Sequence, residues 1–155
     1  IIKKIPYKTF ILSNRDYNKF YKSYNMNQMK AILHNKVLGQ IKDCGYGYDY
    51  IVVDQFEVPK SYFKHIQGAT NQVKDIFFLT KAEDQCLSVA CSSLISRYIF
   101  LKEMDKLSND VGIILPKGAN PTVDSIGKEI VNKFGLEKLN EIAKLNFKNT
   151  LKITN

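Results

Sequence analysis

Two short apolar runs, with a helical segment between them, constrain the fold of this chain more than any other feature. Residues 50–53 (Tyr-Ile-Val-Val) and 76–79 (Ile-Phe-Phe-Leu) are continuous runs of β-branched and aromatic side chains, typical of strands buried on both faces. Pro59 marks the first turn of a short helix over residues 59–66, between the two runs. The order strand, helix, strand predicts an α/β fold.

The remaining elements follow from apolar spacing and from Pro and Gly positions. A β-branched and aromatic run predicts one more strand at residues 7–12, and apolar residues at three- and four-residue steps predict helices. Asn120 and Pro121 are typical of an N-cap and first helical position, and Gly135 ends that helix. The expected helices span residues 27–40, 82–107, 121–134 and 136–147, and a polar tail follows.

Length and composition predict one globular domain with a basic surface. The chain has 155 residues, 45% of them hydrophobic, which is enough for one packed core. Its 23 Lys and Arg against 15 Asp and Glu give a formal charge of +8, which attracts polyanions such as nucleic acid. Surplus lysines that favour solubility explain the same charge, so charge alone does not decide the partner.

Several classes of protein are disfavoured. The three cysteines, an odd number without C-x-x-C or zinc-ligand spacing, predict neither a disulfide framework nor a zinc site, and favour a reducing, cytoplasmic location. No apolar run reaches the roughly 18 residues of a membrane span, and the N-terminal residues lack a signal-peptide core. Because the chain begins with Ile1 rather than Met, we expect that upstream sequence is missing.

Asp54 and Glu83 are the candidate functional residues. Asp54 ends the first apolar strand, where a carboxylate is held beside solvent and suits Mg²⁺ or Mn²⁺, although strand-end Asp side chains also cap local turns. Glu83 follows the second strand, but residues 80–83 (Thr-Lys-Ala-Glu) also match a capping box, which explains Glu83 without catalysis. Asp124 lies in a predicted first helical turn and is explained by the helix dipole.

Taken together, these segments resemble one family, ribonuclease HIII. The resemblance begins around the two acidic residues and extends over nearly the whole chain. The segments that carry it are residues 31–35 (AILHN), 51–56 (IVVDQF), 78–83 (FLTKAE), 88–98 (SVACSSLISRY), 115–119 (LPKGA) with Val123 and Asp124, and 143–150 (AKLNFKNT).

The resemblance implies a fold and a chemistry. It implies a ribonuclease-H-like mixed sheet flanked by helices, and endonucleolytic hydrolysis of the RNA strand of RNA–DNA hybrids by a two-metal mechanism that leaves 5′-phosphates. Asp54 and Glu83 would be catalytic ligands of Mg²⁺ or Mn²⁺, while Lys81, Ser93 and Arg97 would contact the hybrid backbone.

This sequence departs from the family mainly by what it lacks. The strand carrying an adjacent Asp-Glu pair, its glycine-lysine-glycine loop and a separate N-terminal substrate-binding domain are absent, and Asn146 stands where relatives commonly have His. We therefore expect residues 1–155 to form a single, partial catalytic domain that is inactive alone, belongs to a protein monomeric at full length, and has no obligate protein partner.

Two other functions fit some of the same residues. A non-catalytic basic module that binds nucleic acid would explain the charge without divalent ions. A phosphotransfer enzyme using Asp54 as a covalent nucleophile would explain a carboxylate at a strand end.

Overall fold

A computed structural model of the chain describes residues 2–154, which form two compact units. The first contains residues 2–10 and 24–98, and the second contains residues 11–23 and 99–154. In chain order the elements are α1 Asn14–Phe20, α2 Met26–Lys42, β1 Ile51–Asp54, α3 Pro59–His65, β2 Ile76–Leu79, a 3-10 turn Ala82–Asp84, α4 Leu87–Val111, α5 Pro121–Phe134, α6 Leu136–Ile142 and α7 Asn149–Thr154.

The sheet of the first unit confirms the α/β prediction. β1 and β2 are parallel, with Ile51 opposite Ile76 at one end and Asp54 opposite Leu79 at the other. In the described chain these two strands form the sheet. The prediction of a strand at residues 7–12 is wrong. That segment is mostly exposed and pairs with no described strand, so its β propensity has no ladder to form.

An aromatic core lies beside this sheet. Tyr62 of α3 and Ile66, which directly follows α3, are almost completely buried with Ala31 of α2. Partly buried apolar residues surround them: Phe56, Phe63, Ile76 and Phe78. The other face of β2 is open, since the side chain of Phe77 is 62% exposed. The expectation that β2 is buried on both faces is therefore wrong, and β2 resembles a half-covered strand.

A buried asparagine holds the segment that leads into β2. The Nδ2 of Asn35 donates to the carbonyl of Asn71 at 2.8 Å, and the N–H of Val73 donates to Asn35 Oδ1 at 2.9 Å. Both ends of this amide are thus satisfied, as burial of a polar side chain requires. The contact fixes the entry to β2 against α2.

The second unit is helical, with a core of Val111, Leu115 and Ile130. α5 starts as predicted, because Asn120 Oδ1 accepts from the N–H of Val123, and it ends at Gly135, whose φ is 82°.

The helix predicted over residues 136–147 is shorter in the structure. α6 ends at Ile142, and the next residue, Ala143, is extended. The Asn18 side chain donates to the carbonyl of Ala143 at 2.9 Å and accepts from the N–H of Leu145 at 2.9 Å, which satisfies backbone groups outside a helix. The expected polar tail instead forms α7. None of the described helices is both long and apolar enough to cross a bilayer.

Candidate metal centre

β1 ends at Asp54, and the carboxyl ends of both strands lie at the same edge of the sheet. The N–H of Gln55 donates to the carbonyl of Leu79, the last residue of β2, at 2.9 Å. The chain leaves both strands here, at the edge where open α/β sheets bind their ligands. The exposed carboxylate of Asp54 is therefore accessible to an ion or substrate.

The Asp54 side chain contacts the turn that follows β2. Its Oδ1 accepts a hydrogen bond from the N–H of Ala82 at 3.0 Å, across 28 positions of sequence. Ala82 directly precedes Glu83 in the 3-10 turn, so the two predicted acidic residues lie at the same edge of the sheet. Within the described residues Asp54 makes this long-range bond and no hydrogen bond to its own turn.

The turn before Glu83 differs from the predicted capping box. Lys81 is the residue that precedes the 3-10 turn, its backbone is left-handed (φ 51°, ψ 48°), and no side chain caps the turn. The N–H of Asp84 donates to the Lys81 carbonyl at 3.1 Å, and α4 starts at Leu87 rather than at residue 82. The predicted long helix is therefore a separate tight turn followed by α4, and the left-handed backbone of Lys81 interrupts the helical path that a cap at Thr80 would have started.

A buried polar cluster near this edge was missed by the sequence analysis. Glu57, in the loop after β1, has a side chain only 8% exposed, and its Oε2 lies 3.3 Å from Nε2 of His65 at the end of α3. Glu57 Oε1 and the Tyr62 hydroxyl are buried without a hydrogen-bond partner among the described residues. Burial, and next the charge of Glu57, raise the pKa of Tyr62 to about 12. No sequence pattern indicates this cluster, because only tertiary packing joins the loop to α3.

The three predicted nucleic-acid contacts are all exposed. Lys81 directly precedes the 3-10 turn. Ser93 and Arg97 are on α4, four positions apart, and therefore on one face of the helix. Contact of these three residues with nucleic acid stays a prediction.

Asp124 belongs to the second unit. It lies in the first turn of α5, accepts a hydrogen bond from Asn149 Nδ2, and its Oδ2 lies 3.5 Å from the Lys152 ammonium. These contacts join α5 to α7 and give Asp124 a structural role within that unit.

The donor chemistry of Asp54 and Glu83 fits a hard divalent cation, since carboxylate oxygens are the ligands that Mg²⁺ and Mn²⁺ prefer. Within residues 2–154 no three His, Cys, Asp or Glu side chains come close enough together to hold a metal ion. The described residues therefore contain no complete ligand set, and the binding of a cation by Asp54 and Glu83 stays a prediction.

Comparison with known proteins decides the family. The sequence profile of the family described as Ribonuclease HII matches residues 1–150. The chain belongs to the ribonuclease HII family. Similar relatives include the Ribonuclease HIII of Bacillus licheniformis, 45% identical over 98% of this chain, and that of Bacillus subtilis, 42% identical over the same share. The resemblance to ribonuclease HIII found in the sequence is confirmed.

Solved structures of this ribonuclease family share the fold. Bst-RNase HIII in complex with Mn²⁺ is 38% identical, with a TM-score of 0.91 over 94% of this chain. The RNase H3 of Aquifex aeolicus is 26% identical, with a TM-score of 0.64 over 90% of this chain. The predicted ribonuclease-H-like fold is confirmed.

The chain spans about half the length of the relatives it matches. It covers 50% of the Bacillus licheniformis protein and 48% of the Bst-RNase HIII chain.

Proposed function

We propose that this chain is part of a ribonuclease H that hydrolyses the RNA strand of RNA–DNA hybrids endonucleolytically. The observation that carries the proposal is the hydrogen bond from Ala82 to Asp54, because it brings the carboxylate at the end of β1 to the residue beside Glu83. Bst-RNase HIII, whose fold this chain shares, has been solved in complex with Mn²⁺, which supports the use of a divalent cation, either Mg²⁺ or Mn²⁺.

In this proposal Asp54 and Glu83 are metal ligands. Two divalent cations held there would activate the attacking water and stabilise the leaving 3′ oxygen, which would give a 5′-phosphate product. Asp54 offers Oδ2, since Oδ1 is held by the Ala82 N–H, and Glu83 offers an exposed carboxylate from the turn. Both side chains would hold the cations beside the scissile phosphate.

The hybrid itself would contact cationic and polar side chains. Lys81 beside the turn, with Ser93 and Arg97 on one face of α4, are placed to touch phosphates and sugars. Such contacts position a nucleic acid without reading its bases, and A-form-like duplexes are recognised by shape and 2′-hydroxyls. The net charge of +8 strengthens the attraction.

We also propose that the catalytic domain is completed by residues outside this chain. An apolar stripe on α4 supports this. Leu87 and Leu94 lie seven positions apart, and therefore on one helical face, and their side chains are 80% and 59% exposed. The open face of β2 at Phe77 supports it too. The missing part would supply the Asp-Glu pair and the substrate-binding domain of ribonuclease HIII. The whole protein would act as a cytoplasmic monomer with no obligate protein partner.

A hybrid-cleavage assay in Mg²⁺ tests the function. The full-length protein that carries this chain is expected to cut the RNA strand, and residues 1–155 alone are expected to be inactive for lack of two carboxylates. Asp54→Asn in the full-length protein should lower the rate about 100-fold or more, since a ligand to a catalytic metal contributes several kcal/mol. Asp105→Asn, at an exposed position of α4, is the matched control and should cut normally.

Two results of this assay would contradict the proposal. One is robust cutting by residues 1–155 alone, which would remove the need for a missing acidic pair. The other is unaltered turnover in the Asp54→Asn protein, which would remove Asp54 from the mechanism. Binding of the hybrid without cleavage by the full-length protein would favour the non-catalytic module instead.

A further inference from the structure

Lys81 has an unusual backbone for its residue type. In the described chain it is the one residue other than glycine with a positive φ, at 51°. Glycine adopts this left-handed conformation freely, whereas an L-residue with a Cβ pays about 1 kcal/mol or more. Such a conformation persists only where surrounding contacts enforce it, and it is often found at functional sites.

The contacts that enforce this conformation surround the turn. The N–H of Ala82 donates to Asp54 Oδ1 at 3.0 Å, and Gln85 Nε2 donates to the Thr80 carbonyl at 2.8 Å. The N–H of Cys86 donates to the Ala82 carbonyl at 2.8 Å. Ala82 itself is completely buried, so its N–H needs a partner inside the protein. Asp54 is that partner.

The direction of the Ala82 N–H depends on the backbone of the residue before it, because the peptide plane between residues 81 and 82 is rigid. With Lys81 left-handed, the N–H faces the end of β1 and the chain turns at once into Ala82–Asp84. A hydrogen bond to one carboxylate oxygen fixes the orientation of the other, as bonds behind metal ligands generally do.

We propose that Lys81 is a positioning residue for the metal centre and acts through its backbone. Its left-handed conformation aims the Ala82 N–H at Asp54 Oδ1, presents Oδ2 to the cation, and places Glu83 beside it. This inference rests on the proposed function for the cation, but the turn itself is tested without activity. The role is distinct from the contact of the Lys81 side chain with nucleic acid.

Three substitutions in the full-length protein separate backbone from side chain. Lys81→Ala, Lys81→Gly and Lys81→Val all remove the ammonium. Alanine keeps the cost of the left-handed backbone, glycine removes it, and a β-branched valine increases it. Comparison of the wild type with Lys81→Ala therefore measures the effect of removing the side chain. Comparison of the three variants with each other measures the effect of the backbone conformation.

Hydrogen exchange of the Ala82 amide, followed by NMR on protein labelled with ¹⁵N-alanine, is the first measurement. Protection should rise in the order Val, Ala, Gly, with about a fivefold gain from Ala to Gly. A left-handed site is required for this sign, since at a right-handed or extended position glycine would weaken the turn. Asp54→Ala should lower the protection about tenfold, and Asp54→Asn, which keeps an oxygen acceptor, should lower it less.

Mn²⁺ affinity, measured by paramagnetic relaxation of water protons, is the second measurement. Lys81→Val should bind Mn²⁺ about fivefold more weakly than Lys81→Ala, and Lys81→Gly should bind it at least as tightly as Lys81→Ala. A loss of structure alone would not give this split between variants of equal charge.

The two measurements separate failure of this inference from failure of the proposed function. Equal Ala82 protection in all three variants, or a gain from Gly to Val, overturns the inference. Equal Mn²⁺ affinity in the three variants overturns it as well. Absence of Mn²⁺ binding by the wild-type protein would instead overturn the proposed metal centre, and with it the positioning role, even if the exchange results show a left-handed turn.

Discussion

At the scale of single residues, the buried hydroxyl of Tyr62 is unusual because it makes no hydrogen bond to any described residue. The Tyr62 ring is in the centre of the first core. An unsatisfied buried hydroxyl costs stability that a phenyl ring of the same shape does not. The nearby carboxylate of Glu57 adds to the cost of ionising the phenol.

Tyr62→Phe should therefore be neutral or stabilising at pH 7. It should also change how the free energy of unfolding depends on pH in alkaline solution. The pKa of Tyr62 is raised from 10.0 to about 12, so the unfolded chain ionises first as the pH rises. The wild type should lose about 3 kcal/mol of unfolding free energy between pH 10 and pH 12 from this group, on an order-of-magnitude scale.

Urea unfolding across that pH range measures the effect. The Tyr62→Phe protein should lack this loss, while Tyr46→Phe, at a position 55% exposed, should behave like the wild type. Parallel pH profiles for wild type and Tyr62→Phe would show that the phenol is not shielded as the structure indicates.

At the scale of elements, the contact between α5 and α7 depends on a glycine. A Cβ at Gly127 would lie 2.9 Å from Ile153 Cγ1 and still closer to Cδ1, so the two helices approach only because residue 127 has no side chain. α5 was predicted from its cap and its terminal glycine, but α7 was not. Its sequence has few apolar residues, and its stability comes from contacts such as this one rather than from a local pattern.

Gly127→Ala should destabilise the protein by about 1–2 kcal/mol, because overpacking against Ile153 outweighs the gain in helix propensity. The free energy of unfolding in urea measures this. Ile153→Val removes Cδ1, and combining it with Gly127→Ala should give less destabilisation than the sum of the two single changes. Additive effects, or a stabilising Gly127→Ala, would contradict close packing of α7 on α5.

The strands and the turn after β2 show where sequence patterns predicted the local structure correctly and where they did not. β1 and β2 were predicted within one residue because their short length and their β-branched and aromatic residues favour a strand over a helix. The predictions of a strand at residues 7–12 and of a capping box at Thr80 were wrong, since the first segment has no partner strand and the backbone of Lys81 is left-handed, where a helix start at Thr80 needs a helical residue. Both errors come from tertiary contacts that no local window contains.

At the scale of the whole molecule, the same limit separates the predicted part of the site from the missed part. Asp54 was found because it interrupts an apolar strand, and Glu83 because it follows the second one. The Glu57–His65 pair and the left-handed Lys81 carry no sequence signal, since one is joined by packing and the other is a backbone state. The chain spans about half of its relatives, so the two carboxylates are proposed as half of a ligand set.

The most direct test of a shared cation at Asp54 and Glu83 is anomalous diffraction from crystals of the full-length protein soaked in MnCl₂. We expect an anomalous peak within bonding distance of a carboxylate oxygen of Asp54 and of Glu83, with Asp54 Oδ1 still bonded to the Ala82 N–H. Manganese bound elsewhere in the molecule, with these two side chains free of metal, would contradict the proposed centre.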